Sequence, residues 1–120
     1  MTVKEFYDRI GGGYEEAMSQ LRKEERVAKY IAMFPKDDSF ALLQSSMASG
    51  DMETAFRAAH TLKGVAANLA FLKLRKLASD LTEDLRGGKD IEHAKAAYPA
   101  VKECCEEVLA AIGEFTASQG

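Results

Sequence analysis

The sequence predicts an all-α chain: an antiparallel up-down four-helix bundle with short additional N-terminal helices. Three observations predict it. Apolar residues recur at spacings of three and four through most of the 120 residues. No stretch alternates apolar and polar positions as a half-buried strand would. Six of the nine glycines (11, 12, 13, 50, 87 and 88) fall between the apolar-periodic segments, where helices stop.

Each element has its own signal. Thr2 is placed to cap a first helix, with Glu5 completing a capping box, and Val3, Phe6, Tyr7 and Ile10 form its apolar stripe. Gly11-Gly12-Gly13 ends it. Tyr14, Ala17, Met18 and Leu21 repeat the i, i+3, i+4, i+7 pattern, and Val27, Tyr30, Ile31 and Phe34 repeat it before Pro35 interrupts. Pieces this short need a larger body to pack on. Residues 1–35 are therefore read as an N-terminal part, and 37–117 as the four-helix body, of a single domain spanning 1–120.

In that body, Asp37 or Asp38 caps a helix that carries Phe40, Leu43 and Met47 and stops at Gly50. Asp51 caps the next, which runs to about Leu69 or Ala70. A third carries Leu74, Leu77, Ala78, Leu81 and Leu85 and stops at Gly87-Gly88. Asp90 caps the last. There Ile91, Ala94, Tyr98, Val101, Cys105, Val108, Ile112 and Phe115 form a heptad-like seam suited to near-antiparallel packing. Pro99 lies inside the seam, and a kink is expected there, or a restart with Pro99 near N1.

Composition excludes several functions. The net charge of −3 argues against a nucleic-acid surface, which needs a basic excess. Two histidines and one adjacent Cys pair are too few for a common zinc site, so no metal site is assigned. Cys104 and Cys105 lie about 100° apart on a helix and are poorly placed to bridge one another. Packing thiols in a cytoplasmic protein are the expectation. The start, Met1-Thr2-Val3-Lys4-Glu5, is not a signal peptide, and no segment approaches the roughly 18 apolar residues of a membrane span.

One stretch carries chemistry. On the second long helix, Ala55, Ala59, Leu62, Ala66 and Leu69 form an apolar face. His60, Lys63, Gly64 and Ala67 share a second face beside it. Glycine inside a helix costs about 1 kcal/mol relative to alanine. Of nine glycines, only Gly64 and Gly113 fall within predicted helices. A glycine one turn beyond a histidine removes bulk beside the imidazole, which allows another protein or a phosphoryl group to approach. Lys63 sets a positive charge where a negative group on His60 would lie. At ~4 Å and an effective dielectric near 20, such a pair is worth roughly 4 kcal/mol, less after screening. Singly, each residue has a plainer account: a surface histidine, a solvated lysine, a packing notch. Together on one face they favour function. His93, in the first turn after Asp90, is expected to face solvent and is given no role.

The run Ala58-Ala59-His60-Thr61-Leu62-Lys63-Gly64-Val65-Ala66-Ala67-Asn68-Leu69 resembles the signature of histidine-containing phosphotransfer (HPt) domains of bacterial phosphorelays. The preceding Gly50-Asp51 turn and the following Leu74, Leu77 and Leu81 are similar too. The resemblance implies a four-helix bundle whose exposed His60 accepts and donates a phosphoryl group. It implies that Lys63 stabilises that group, that Gly64 clears space for the partner, and that Asn68 is structural. It further implies a polar or basic side chain from the next helix near the histidine. Arg86 is the candidate, against a solvated residue at a helix C-terminus. Two positions depart from the pattern. Ala70 stands where glycine is common after Asn-Leu, so the turn into the third helix is expected to differ. Thr82 stands where glutamate is common, with acid following at Glu83 and Asp84.

The implied protein is a phosphocarrier, not an enzyme. Gly87-Gly88-Lys89 lacks the spacing of a phosphate loop and Gly11-Gly12-Gly13 lacks its lysine, so no ATP site and no bound cofactor are expected. By the resemblance, the partner is a response-regulator receiver domain or a hybrid histidine kinase, with Mg²⁺ on the receiver. Phe56 and Ala67 flank His60 and fit a small docking patch for a receiver helix, although core packing accounts for Phe56 equally well. A monomer is expected, with no nucleic-acid or membrane partner. The alternative is a non-phosphorylated helical adaptor that uses another face. A metal-dependent helical hydrolase lacks its ligands.

Overall fold

Local capping chemistry sets most helix starts. The Thr2 hydroxyl accepts from the Glu5 amide at 3.0 Å while the Glu5 carboxylate accepts from the Thr2 amide at 2.8 Å, a closed capping box. That box opens α1 (Val3–Ile10) in the computed structural model, which describes residues 1–119. Six further α-helices follow among the described residues: α2 (Tyr14–Leu21), α3 (Glu24–Met33), α4 (Ser39–Ser49), α5 (Met52–Asn68), α6 (Leu72–Leu85) and α7 (Ile91–Gln119). Short 3₁₀ turns occupy Phe34–Lys36 and Arg86–Gly88.

Asp51 caps α5, accepting from the amide and the hydroxyl of Thr54. Asp90 caps α7 through the His93 amide. At α4 the two candidate aspartates divide. Asp38 occupies the cap position, but Asp37 makes the bonds, accepting from the Ser39 amide at 2.9 Å and from its hydroxyl.

The fold is an all-α helical bundle. Each of α4 to α7 packs on the next, and α4 also touches α7. Helix α5 lies between α4 and α6, and it turns Ala55, Ala58, Ala59, Leu62 and Ala66 into the core. The N-terminal helices attach through an aromatic cluster. Phe6, Tyr7, Phe71 and Phe115 are buried, with ring centroids 5.5 Å apart for Phe6–Phe115 and 5.9 Å for Phe6–Phe71. Each such side chain contributes about 1.5–3 kcal/mol on burial. The Tyr7 hydroxyl donates to the Leu69 carbonyl at 2.7 Å, which ties α1 to the C-terminus of α5.

The turn after α5 is held just as closely. Ala70 is buried at φ +57°, so alanine takes the left-handed conformation that glycine favours, at a cost of about 1–2 kcal/mol. Gly13 explains why the turn cannot relax toward its neighbour. A Cβ on Gly13 would sit 2.0 Å from the Ala70 carbonyl oxygen, so only glycine lets the two backbones meet.

Two expectations are corrected. Pro99 does not restart the last helix: α7 continues through it from Ile91 to Gln119. Pro99 is exposed, and buried Ala94, Val101, Cys105 and Val108 hold both sides of it to the core. Tyr30 is not in the buried stripe of α3. It is 41% exposed, while Val27, Ile31 and Phe34 are buried. At the departing position 82, threonine is fully buried and donates to the Ala78 carbonyl at 2.7 Å. A glutamate there would bury its carboxylate in the core. Both cysteines are unbridged and buried, and burial pushes the Cys105 thiol up to about 12.

Candidate functional site

Helical spacing presents the second face of α5 as the sequence implies. His60 and Gly64 are exposed, and Lys63 and Ala67 are half-buried. The apolar face below anchors this row: Ala59, Leu62 and Ala66 are fully buried, so α5 cannot roll without uncovering them. His60 is thus held out on a rigid element.

Phe56 lies one turn before His60 and is half-buried, packed against the core with part of its side chain accessible. Its ring centroid is 6.2 Å from that of His60 at 46°, within the range of favourable aromatic pairs. Arg86 comes from the C-terminus of α6 and lies over the other aromatic neighbour of this contact. Its guanidinium carbon is 5.1 Å from the Phe56 ring centroid, a cation–π distance. The order His60, Phe56, Arg86 therefore crosses from α5 to α6.

Glu83 completes the edge, and sequence reasoning gave it no role. Arg86 donates to both Glu83 carboxylate oxygens, with Nη2–Oε2 at 2.9 Å. The Glu83 carboxyl is held below the usual glutamate value. The hydrogen bond from Arg86 is the main cause, and the positive charges of Arg86, Lys63 and Lys89 act in the same direction. Lys63 on α5 thus projects its field onto the same carboxylate that Arg86 binds. The signal was present as an i, i+3 Glu–Arg pair, but its relation to Phe56 arises only from packing α5 on α6.

Gly64 has no intramolecular reason to be glycine. A Cβ there would meet nothing within 4 Å. Gly113 on α7 is equally open, so open space alone does not single out a site. What distinguishes Gly64 is its place one turn from His60 and beside Lys63.

Two grooves border this face. Lys63, Ala67, Leu72, Arg75, Lys76 and Ser79 line one between α5 and α6, with a cationic rim. The other lies toward α3. It is apolar, about 360 Å³, and is lined by Tyr30, Met33, Phe34, Val65, Asn68 and Leu69 among others. Tyr30 and Met33 on this groove are exposed, and Tyr30 falls outside its predicted stripe because periodicity assigns a stripe but not its angular limits. Asn68, expected to be structural, is exposed at the end of α5.

His93 has a different setting. It is exposed, but its Nδ1 is 2.5 Å from Asp84 Oδ2, which joins the start of α7 to the end of α6. No helix among the described residues is long and apolar enough to cross a membrane. A family model described as Hpt domain matches residues 30–111, more than half of the chain. Comparison with curated proteins and with solved structures gives no match.

Proposed function

The chain belongs to the Hpt domain family, whose members are phosphocarrier modules of two-component signalling, and from that premise we propose that His60 is its phosphoryl carrier. In this reading His60 reversibly takes a phosphoryl group from one receiver aspartate and passes it to another. Lys63 offsets the charge that arrives, and Gly64 leaves room for the receiver. Phe56 and Ala67 border the contact.

The observation that carries this reading is an exposed histidine paired with a helical glycine that no internal contact requires. The glycine sacrifices about 1 kcal/mol of helix stability relative to alanine, and the only gain on that face is space. Space beside an imidazole serves an approaching partner.

The step is simple in chemical terms. One ring nitrogen of neutral His60 attacks the phosphorus of an aspartyl phosphate. The P–N bond forms as the P–O bond breaks, and the carboxylate leaves with the electron pair. The other ring nitrogen keeps its hydrogen, so no separate base is required. Phosphoryl transfer depends mainly on positioning and charge stabilisation. The receiver brings Mg²⁺ for the latter, and this chain brings Lys63. The chain has no ATP site of its own in this reading.

The test mixes the protein with a phosphorylated receiver and follows acid-labile label. Wild type should become labelled, His60→Gln should carry none, and His93→Gln should label at a rate within about two-fold of wild type, because the two sites are independent. ATP alone should label nothing. Label on His60→Gln, or labelling from ATP without a partner, would overturn the proposal. A His60→Gln variant that still binds its partner and signals would favour an adaptor.

A further inference from the structure

Arg86 is engaged twice in the resting protein. Its guanidinium binds both oxygens of Glu83 and at the same time lies over the Phe56 ring, whose other aromatic neighbour is His60. Lys63 and Lys89 add positive charge that acts on the Glu83 carboxyl in the same direction as the Arg86 bond. This local excess of positive charge sits on a chain whose net charge is −3.

We propose that Glu83 is a resident counter-anion, which parks Arg86 over Phe56 while His60 is unmodified and releases it when His60 carries a phosphoryl group. The inference rests on the phosphotransfer reading and deepens it. Glu83 touches no reacting atom; it is a positioning residue that acts through Arg86.

Three features favour exchange over a fixed structural bond. Glu83 and Arg86 are both exposed, with side chains more than half accessible, so their pairing is weak and readily traded. The pair is i, i+3 at the very end of α6, where Arg86 is already the C-cap and the chain leaves helical geometry. A phosphoryl group brings a larger negative charge and more acceptor oxygens than one carboxylate, and a guanidinium fork suits it at least as well. The neighbouring acid points elsewhere: Asp84 meets His93 at the start of α7.

The experiment equilibrates the full chain with a phosphorylated receiver and measures the share of phosphoryl on His60. It uses wild type, Glu83→Gln, Arg86→Ala and the double variant. Removing the counter-anion should raise the His60-bound share roughly two- to five-fold, the range set by exposed ion pairs. In the Arg86→Ala background the same change should have little effect, because there is no guanidinium to release. The phosphohistidine lifetime should lengthen in Glu83→Gln and in no other variant. An equal gain in both backgrounds would overturn the proposal, since Glu83 would then act by repulsion alone; so would no gain in either. Wild type that takes no label at all would instead defeat the phosphotransfer reading, and this inference with it.

Discussion

His60 and His93 are both exposed histidines on helices, yet the charges around them have opposite signs. Around His93 stand Asp84, in direct contact through Nδ1, and Asp90 and Asp80 farther off; they hold its pKa above the ordinary histidine value, with the Asp84 hydrogen bond as the main cause. Around His60 stand Lys63 on its own helix and Arg86 beyond Phe56. A dianionic phosphoryl group on His93 would meet the Asp84 carboxylate in direct contact, with Asp90 and Asp80 adding repulsion from farther off. On His60 the sign reverses. The imidazole is common to both, so the neighbouring charges are what favour His60 over His93 as the proposed carrier.

Gly64 offers the sharpest way to break this contrast. A Cβ there meets no internal obstacle and leucine is a better helix former, so the fold should gain about 1 kcal/mol. That corresponds to roughly 4 °C in melting temperature. Transfer from a receiver should nevertheless slow by about a hundred-fold, the scale set by a misplacement of ~1 Å in the reacting groups. Thermal melting and transfer kinetics on Gly64→Leu test the two together. A loss of stability along with rate would show that Gly64 serves packing.

Ala67 should respond less. It lies two turns beyond His60 and shares its groove with Lys63, Arg75 and Lys76. Ala67→Glu introduces a carboxylate among those cations and blunts the positive potential on the transfer face. We expect transfer to fall roughly three- to ten-fold at low salt, with the deficit shrinking as ionic strength rises. A salt-independent deficit would point to steric obstruction; an unchanged rate would remove Ala67 from the docking face.

The uneven legibility of the molecule has a physical basis. Thr2, Asp51 and Asp90 were readable as caps because a cap is decided within four residues, and His60, Lys63 and Gly64 were readable as one face because a single helix fixes their spacing. The misreadings are all tertiary. The local penalty at Pro99 is about 3 kcal/mol, but buried residues on both sides keep α7 continuous. The left-handed Ala70 is imposed by packing against Gly13 and by the Tyr7–Leu69 bond, which come from residues more than 50 positions away. Glu83 was visible only as one acid among several, because its importance depends on where Phe56 of another helix sits.

The smallest expected effect concerns His93 and pH. Its pKa is raised in the folded protein above the ordinary value of 6.5, so protonated His93 favours the native state through Asp84. The stability this adds is fully present below the unfolded pKa near 6.5 and is lost as pH rises through the higher, folded value. Because the ring is exposed, the change should be slight, a small decline in denaturation midpoint from about pH 6 to pH 8. Replacement by glutamine should remove that decline, and Asp84→Asn should do the same from the other side. The transfer activity of His60 should follow neither change, since the clasp joins α6 to α7 through residues that touch neither His60 nor Lys63. If His93→Gln altered transfer and midpoint in parallel, the two histidines would be coupled through the α6–α7 turn, and the contrast between them would be one of degree.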